Sequence, residues 1–67
     1  MKNFYSLIVI YSPAKQEVIA RDYTIDSIAK IISAFTERKK KNMAVITSNG
    51  RDVTKWAIMK SKVVKGD

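Results

Sequence analysis

The 67-residue chain contains no cysteine and no histidine. The first absence excludes disulfides, and the two together exclude a zinc site of the Cys/His type. They also remove the commonest nucleophile and the commonest general base from any catalytic reading. With two glycines and one proline, the chain has no linker, no low-complexity tract and no repeat. No apolar run approaches the ~18 residues of a membrane span. The opening MKNFYSLIVIYSPAK places one lysine before apolar residues. Ser6 interrupts that run and no small-residue cleavage pattern follows, so a strand explains it better than a signal peptide. A chain without cysteine suits a reducing compartment, and a cytoplasmic protein is expected.

What is present describes one small domain. A chain this short buries only about 60% of its unfolded surface, so its core is marginal. Ordinary residues or an oligomer must supply the stability that disulfides or a metal provide elsewhere. Hydrophobic residues make up 46% of the chain, a globular composition. The charge is uneven. Residues 1–37 carry four cations and four anions, whereas residues 38–67 carry nine cations and two anions, which is the whole net charge of +7. A sign asymmetry this complete points toward a polyanionic partner.

FYSLIVIYSPAKQEVIARDY reads as a β-hairpin, because both arms are rich in β-branched and aromatic residues. Ser12-Pro13-Ala14-Lys15 fits a type I turn with proline where φ is already set. Ser12 opposite Lys15 then pairs Val9 with Val18, Leu7 with Ala20 and Tyr5 with Asp22. Tyr11 joins that side, which gives Tyr5, Leu7, Val9, Tyr11 and Val18 as a candidate interface. The other side carries Phe4, Ile8, Ile10, Ile19 and Tyr23. A sheet apolar on both faces needs two covers.

TIDSIAKIISAFTERKKKN predicts one helix. Thr24 is the N-cap, and Tyr23 and Ile28 stand at staple positions. Ile25, Ile28, Ile32 and Phe35 form the apolar stripe, widened by Ala29 and Ile31. Asp26 complements the positive end of the helix dipole and the RKKK run the negative end. Asn42 can adopt the left-handed stop. MAVITSNGRDV predicts a third strand entering a hairpin, with positive φ at Asn49 and Gly50. That turn pairs Ile46 with Val53 and Met43 with Trp56. It favours a fourth strand for the segment after Asp52. The alternative is a second helix starting at Asp52, grouping Val53, Trp56, Met59 and Val63 and stopping at Gly66. The expected class is α+β, ββαββ, a small antiparallel sheet packed on one helix.

Catalytic constellations are weak. Ser-x-x-Lys occurs at Ser12–Lys15 and Ser27–Lys30, but the first is a turn and the second aims Lys30 at solvent, so both read as chance matches. Asp22 and Asp26 flank a helix start, where capping explains them. Ser48-Asn49-Gly50 could cradle a phosphate ahead of a helix, but the neighbouring charge of Asp52 favours a plain turn. No enzyme, cofactor, metal or small-molecule substrate is expected.

The basic half supports binding. Taken alone, Arg38-Lys39-Lys40-Lys41 is explained by a solvated helix end, worth ~0.3–1 kcal/mol per charge. Lys55, Lys60, Lys62 and Lys65 then serve as solubilising residues and edge-strand protection against aggregation. The functional reading is a polyanion surface of Arg38, Lys39, Lys40, Lys41, Arg51, Lys55, Trp56, Lys60 and Lys62, in which a base stacks on Trp56 while cations reach phosphates. No established nucleic-acid motif is present, and burial of Trp56 opposite Met43 is the simpler expectation for a small core. A competing class is a protein-interaction module, homodimeric through the hairpin or docked on an acidic protein surface. A lipid-facing helix bearing Trp56, Met59 and Val63 offers too few apolar side chains to rank with these. In size, lysine and isoleucine content and lack of motifs, the chain resembles small accessory proteins of phages and other mobile elements.

Overall fold

A computed structural model describes residues 3–65, and the side chains of residues 3–63. In chain order it contains β1 (Tyr5–Ser12), β2 (Lys15–Asp22), α1 (Ile25–Ser33), α2 (Glu37–Lys40), β3 (Met43–Thr47) and α3 (Thr54–Lys65). The α+β class and the packing of an antiparallel sheet on helix are those expected from the sequence. The segment after Asp52 takes the helical alternative, so the sheet has three strands in the order β2-β1-β3. Gly66, the stop expected for that helix, lies outside the described residues.

The hairpin keeps the expected register at both ends, with Tyr5 opposite Asp22, Leu7 opposite Ala20 and Ser12 opposite Lys15. Its middle does not. Two bulges shift the pairing so that Ile8 faces Val18, Val9 faces Glu17 and Ile10 faces Gln16. The expected Val9–Val18 pair is therefore absent. A one-residue slip exchanges sheet faces, so Val18 leaves the face of Val9 and stands 44% exposed. The arm Gln16-Glu17-Val18-Ile19 has no clean polar–apolar alternation to resist that slip.

On β3, Leu7 pairs with Val45 and Val9 with Met43, while Ser6 pairs with Ile46 and Ile8 with Ala44. Alternation along each strand then defines two faces. Leu7, Val9, Met43 and Val45 are buried. All but Val9 join Ile25, Ile28, Ile32 and Ala57 in one core cluster. The opposite face carries Ser6, Ile8, Ile10, Val18, Ala44 and Ile46. Both long helices lie on the first face. α1 packs chiefly on α3, where Ala57 and Ser61 are fully buried, because small side chains let helix backbones approach. The Ser61 hydroxyl donates to the Ile58 carbonyl at 2.6 Å, which satisfies it in that dry position.

α1 follows the expected stripe at Ile25, Ile28, Ala29 and Ile32, which are buried, but Ile31, expected to widen it, is exposed. Thr24 caps it by accepting the Ser27 amide hydrogen at 3.2 Å. Tyr23, expected to staple the start, is 64% exposed. The helix ends sooner than the sequence suggested. The Ser33 hydroxyl bonds back to the Lys30 carbonyl at 2.7 Å, and Thr36 accepts from the Lys39 amide at 3.3 Å, starting α2. Hydroxyl side chains that bond nearby backbone compete with helix continuation. Asn42 is not left-handed, since no non-glycine residue among those described has positive φ. The same holds for Asn49: only Gly50 has positive φ, at 87°.

Candidate nucleic-acid interface

The polyanion surface expected from the sequence divides into two parts. α2 precedes β3 and Arg51 follows it, so the RKKK run and Arg51 stand at opposite ends of that five-residue strand, about 14 Å apart along it. At the α2 end, Arg38, Lys39 and Lys41 are exposed. Lys40 is not: its side chain is 5% exposed and its Nζ lies 3.2 Å from Glu37 Oε1. Lys39 Nζ sits 5.2 Å over the Phe35 ring, which occupies part of its field.

At the other end the chain leaves β3, turns through Asn49-Gly50 and enters α3. The turn is internally bonded. Ser48 N–H donates to the Phe4 carbonyl at 2.8 Å, Gly50 N–H to the Thr47 carbonyl at 2.9 Å and Arg51 N–H to Thr47 Oγ1 at 2.9 Å. The Thr47 hydroxyl also meets Asn49 Oδ1. These amides are not offered to an anion, so Ser48-Asn49-Gly50 forms no phosphate cradle. Ile46 bridges to Asp52 and not to Val53. The Asp52 carboxylate then accepts the Thr54 amide at 2.9 Å and the Thr54 hydroxyl at 2.6 Å. Those two bonds hold its carboxyl below the ordinary value of 3.8.

Trp56, in the first turn of α3, does not face Met43. Its ring meets Tyr5 edge-on at 6.2 Å between centroids, and the residue is 44% exposed. Together with Asn3, Thr47, Asn49, Arg51 and Val53 the two aromatics line a cleft of about 200 Å³. Lys55, exposed, is the next residue in the chain. Helical spacing places Trp56, Met59 and Val63 along the outer side of α3, with Met59 66% and Val63 76% exposed. Lys55 and Lys62 flank this stripe on one side and Lys60 on the other. Lys60 Nζ lies 3.6 Å from Asp26 Oδ1, an exposed pair worth ~0–1 kcal/mol that a competing anion can displace.

The structure thus brings Arg51, Lys55, Trp56, Lys60 and Lys62 onto one helix and its entry loop, and leaves Arg38, Lys39 and Lys41 elsewhere. Leu7 and Val9, expected at an interface, are core residues at 0% and 4% exposure, because the helices chose the face they occupy. Tyr5 belongs to the Trp56 cleft. Tyr11 stands at the hairpin tip, where its hydroxyl donates to Glu17 Oε1 at 3.3 Å and the Glu17 charge raises its phenol above the ordinary value. Nothing in the residue pattern marks Asn3 as a cleft residue, and Asn49 was legible only as a turn former. Among the described residues, no group of three or more acidic side chains could hold a metal ion, and no helix is long and apolar enough to cross a membrane. No family model, curated protein or solved structure matches the chain.

Proposed function

We propose that the chain is a non-enzymatic binding module that engages single-stranded nucleic acid through the outer side of α3 and the cleft at its start. The observation that carries this reading is the half-exposed Trp56, which shares a cleft with Arg51 and directly follows the exposed Lys55 in α3. An unpaired base can lie on an accessible indole while adjacent cations meet the phosphates on either side. Asn3 and Asn49 supply amide groups that suit base edges. Arg51 has no ion-pair partner among the described residues. The net charge of +7 adds non-specific attraction, which salt screens.

Because Trp56 is the only tryptophan, its fluorescence reports on the cleft directly. Titration with a short oligothymidylate at 50 mM salt is expected to quench it. The slope of log K against log salt is expected near −2 if roughly three phosphates are neutralised. Absence of binding to single strands at that salt overturns the proposal.

Met59 and Val63 favour a second reading, since such exposed apolar side chains gain nothing from phosphate. An acidic amphipathic protein segment would cover them and pair with Lys55, Lys60 and Lys62. Co-purification of a protein from source-cell lysate that resists nuclease treatment, without oligonucleotide binding, is the outcome that selects this reading.

A further inference from the structure

The sheet has a second face that neither α1 nor α3 covers, on which Ser6 is buried, Ile8, Ile10, Ala44 and Ile46 are half-buried and Val18 is exposed. Ser6, Ile8 and Ile10 on β1 line up there with Ala44 and Ile46 on β3 and Val18 on β2. None of these belongs to the core cluster or packs against it, and α1 and α3 occupy the other side. Two charged residues border the face: Arg21, opposite Ser6, with its guanidinium 5.6 Å over the Phe4 ring, and Asp52, bridged to Ile46, with its carboxylate bonded to Thr54. We propose that a second copy of the chain covers this face, the two sheets packing face to face about a two-fold axis.

Two features favour a second copy over a foreign partner, and a third bounds its strength. Arg21 and Asp52 leave the face with no net charge on a chain of net charge +7, so an acidic partner finds no complement there, whereas an identical face, apolar across its middle, does. Face-to-face packing also puts both basic helix layers outermost. The two α3 helices then lie on the order of 30 Å apart, several times the ~8–10 Å screening length, so like-charge repulsion is small. Finally, the area limits the pair to a weak dimer. Strand spacing and length give a footprint of roughly 350 Å² per copy, about 700 Å² for the pair, below the ~1,000 Å² of stable specific interfaces and in the range of a transient one. Area alone does not fix affinity, so the dimer is sought over a wide concentration range.

The interface is separate from the α3 surface: a monomer that binds oligonucleotide overturns the dimer and leaves the function proposed above intact. The test is sedimentation equilibrium from about 5 to 500 μM, which spans weak association, in ~0.3 M salt, which screens repulsion. Wild-type protein is expected to dimerise and Ile46→Glu to stay monomeric with an unchanged circular dichroism spectrum. That substitution lowers the net charge, so loss of the dimer cannot be blamed on greater self-repulsion. Because the chain has no cysteine, single cysteines give an independent measure. A short bismaleimide is expected to cross-link Ile8→Cys, at the centre of the face, and not Ala34→Cys, on the exposed end of α1. That comparison decides the matter if Ile46→Glu fails to fold. A monomer across the whole range, a dimer that survives Ile46→Glu, or equal cross-linking at both positions overturns the proposal.

Discussion

Thr54 Oγ1 accepts the amide hydrogen of Val45 at 3.0 Å. The same hydroxyl donates to Asp52, so one side chain joins the first turn of α3 to the outer edge of β3. The Val53 amide adds a backbone bond to the Val45 carbonyl at 2.9 Å. This hook fixes where α3 starts, and with it the position of Trp56 two residues on. Thr54→Val keeps the shape, removes the hydroxyl and orphans a half-buried N–H. It is expected to cost ~1–3 kcal/mol in urea unfolding followed by Trp56 fluorescence, with Thr54→Ser close to wild type.

The hook has a pH dependence. The Thr54 bonds depress the folded-state pKa of Asp52 below its ordinary 3.8. A carboxylate held low in the folded state adds stability that is fully present above the unfolded value. It is lost as pH falls through the folded one. Trp56 emission at neutral pH is therefore expected to hold down to about pH 4 and to shift below it. In Asp52→Asn the hook component of that shift should be missing.

Core and surface positions separate by face. Ile32 and Leu7 are fully buried. Alanine at either is expected to cost ~2–5 kcal/mol, enough to unfold a domain of this size. Ile31→Ala, one residue along the helix but outward, should cost under ~1 kcal/mol. Chemical denaturation of the three variants checks the assignment, and equal losses would show the α1 stripe misplaced.

Binding variants distinguish the two clusters of cations. Trp56→Ala is expected to weaken oligothymidylate binding by ~1–3 kcal/mol, the value of one stacked base. Arg51→Ala should flatten the salt slope by about 0.7. Joint replacement of Arg38, Lys39 and Lys41 by alanine should leave quenching of Trp56 intact. Lys40 is left alone in that variant, because it is buried against Glu37. Affinity that falls more in the triple variant than in Arg51→Ala would move the site to α2.

Much of this architecture was legible in the residues. The isoleucines of α1 repeat at a spacing only a helix satisfies, and Thr24 announces its start. Two places resisted. The Asn-Gly turn suggested a strand beyond it, because that dipeptide is the strongest short hairpin signal. Here the returning strand is a single bridge at Asp52, since Asp52 and Thr54 form a helix-starting turn that competes with further pairing. The hairpin faces misled for another reason. Both sides are apolar, so alternation alone could not say which one the helices would take, and bulges then moved Val18 across. For the site, Trp56 and its flanking cations stood out in sequence. Their separation from the RKKK run did not, because it depends on the length of β3 between them.

The first bulge leaves Ile19 without a partner on β1, in the strand that forms one margin of the sheet. Regular amyloid growth requires amides and carbonyls at an even pitch along such a margin, so that each incoming strand docks in register. The supernumerary residue breaks that pitch beside Val18, both of them solvent-facing. Excising Ile19 would straighten the ribbon and turn a protected border into a template for fibrils.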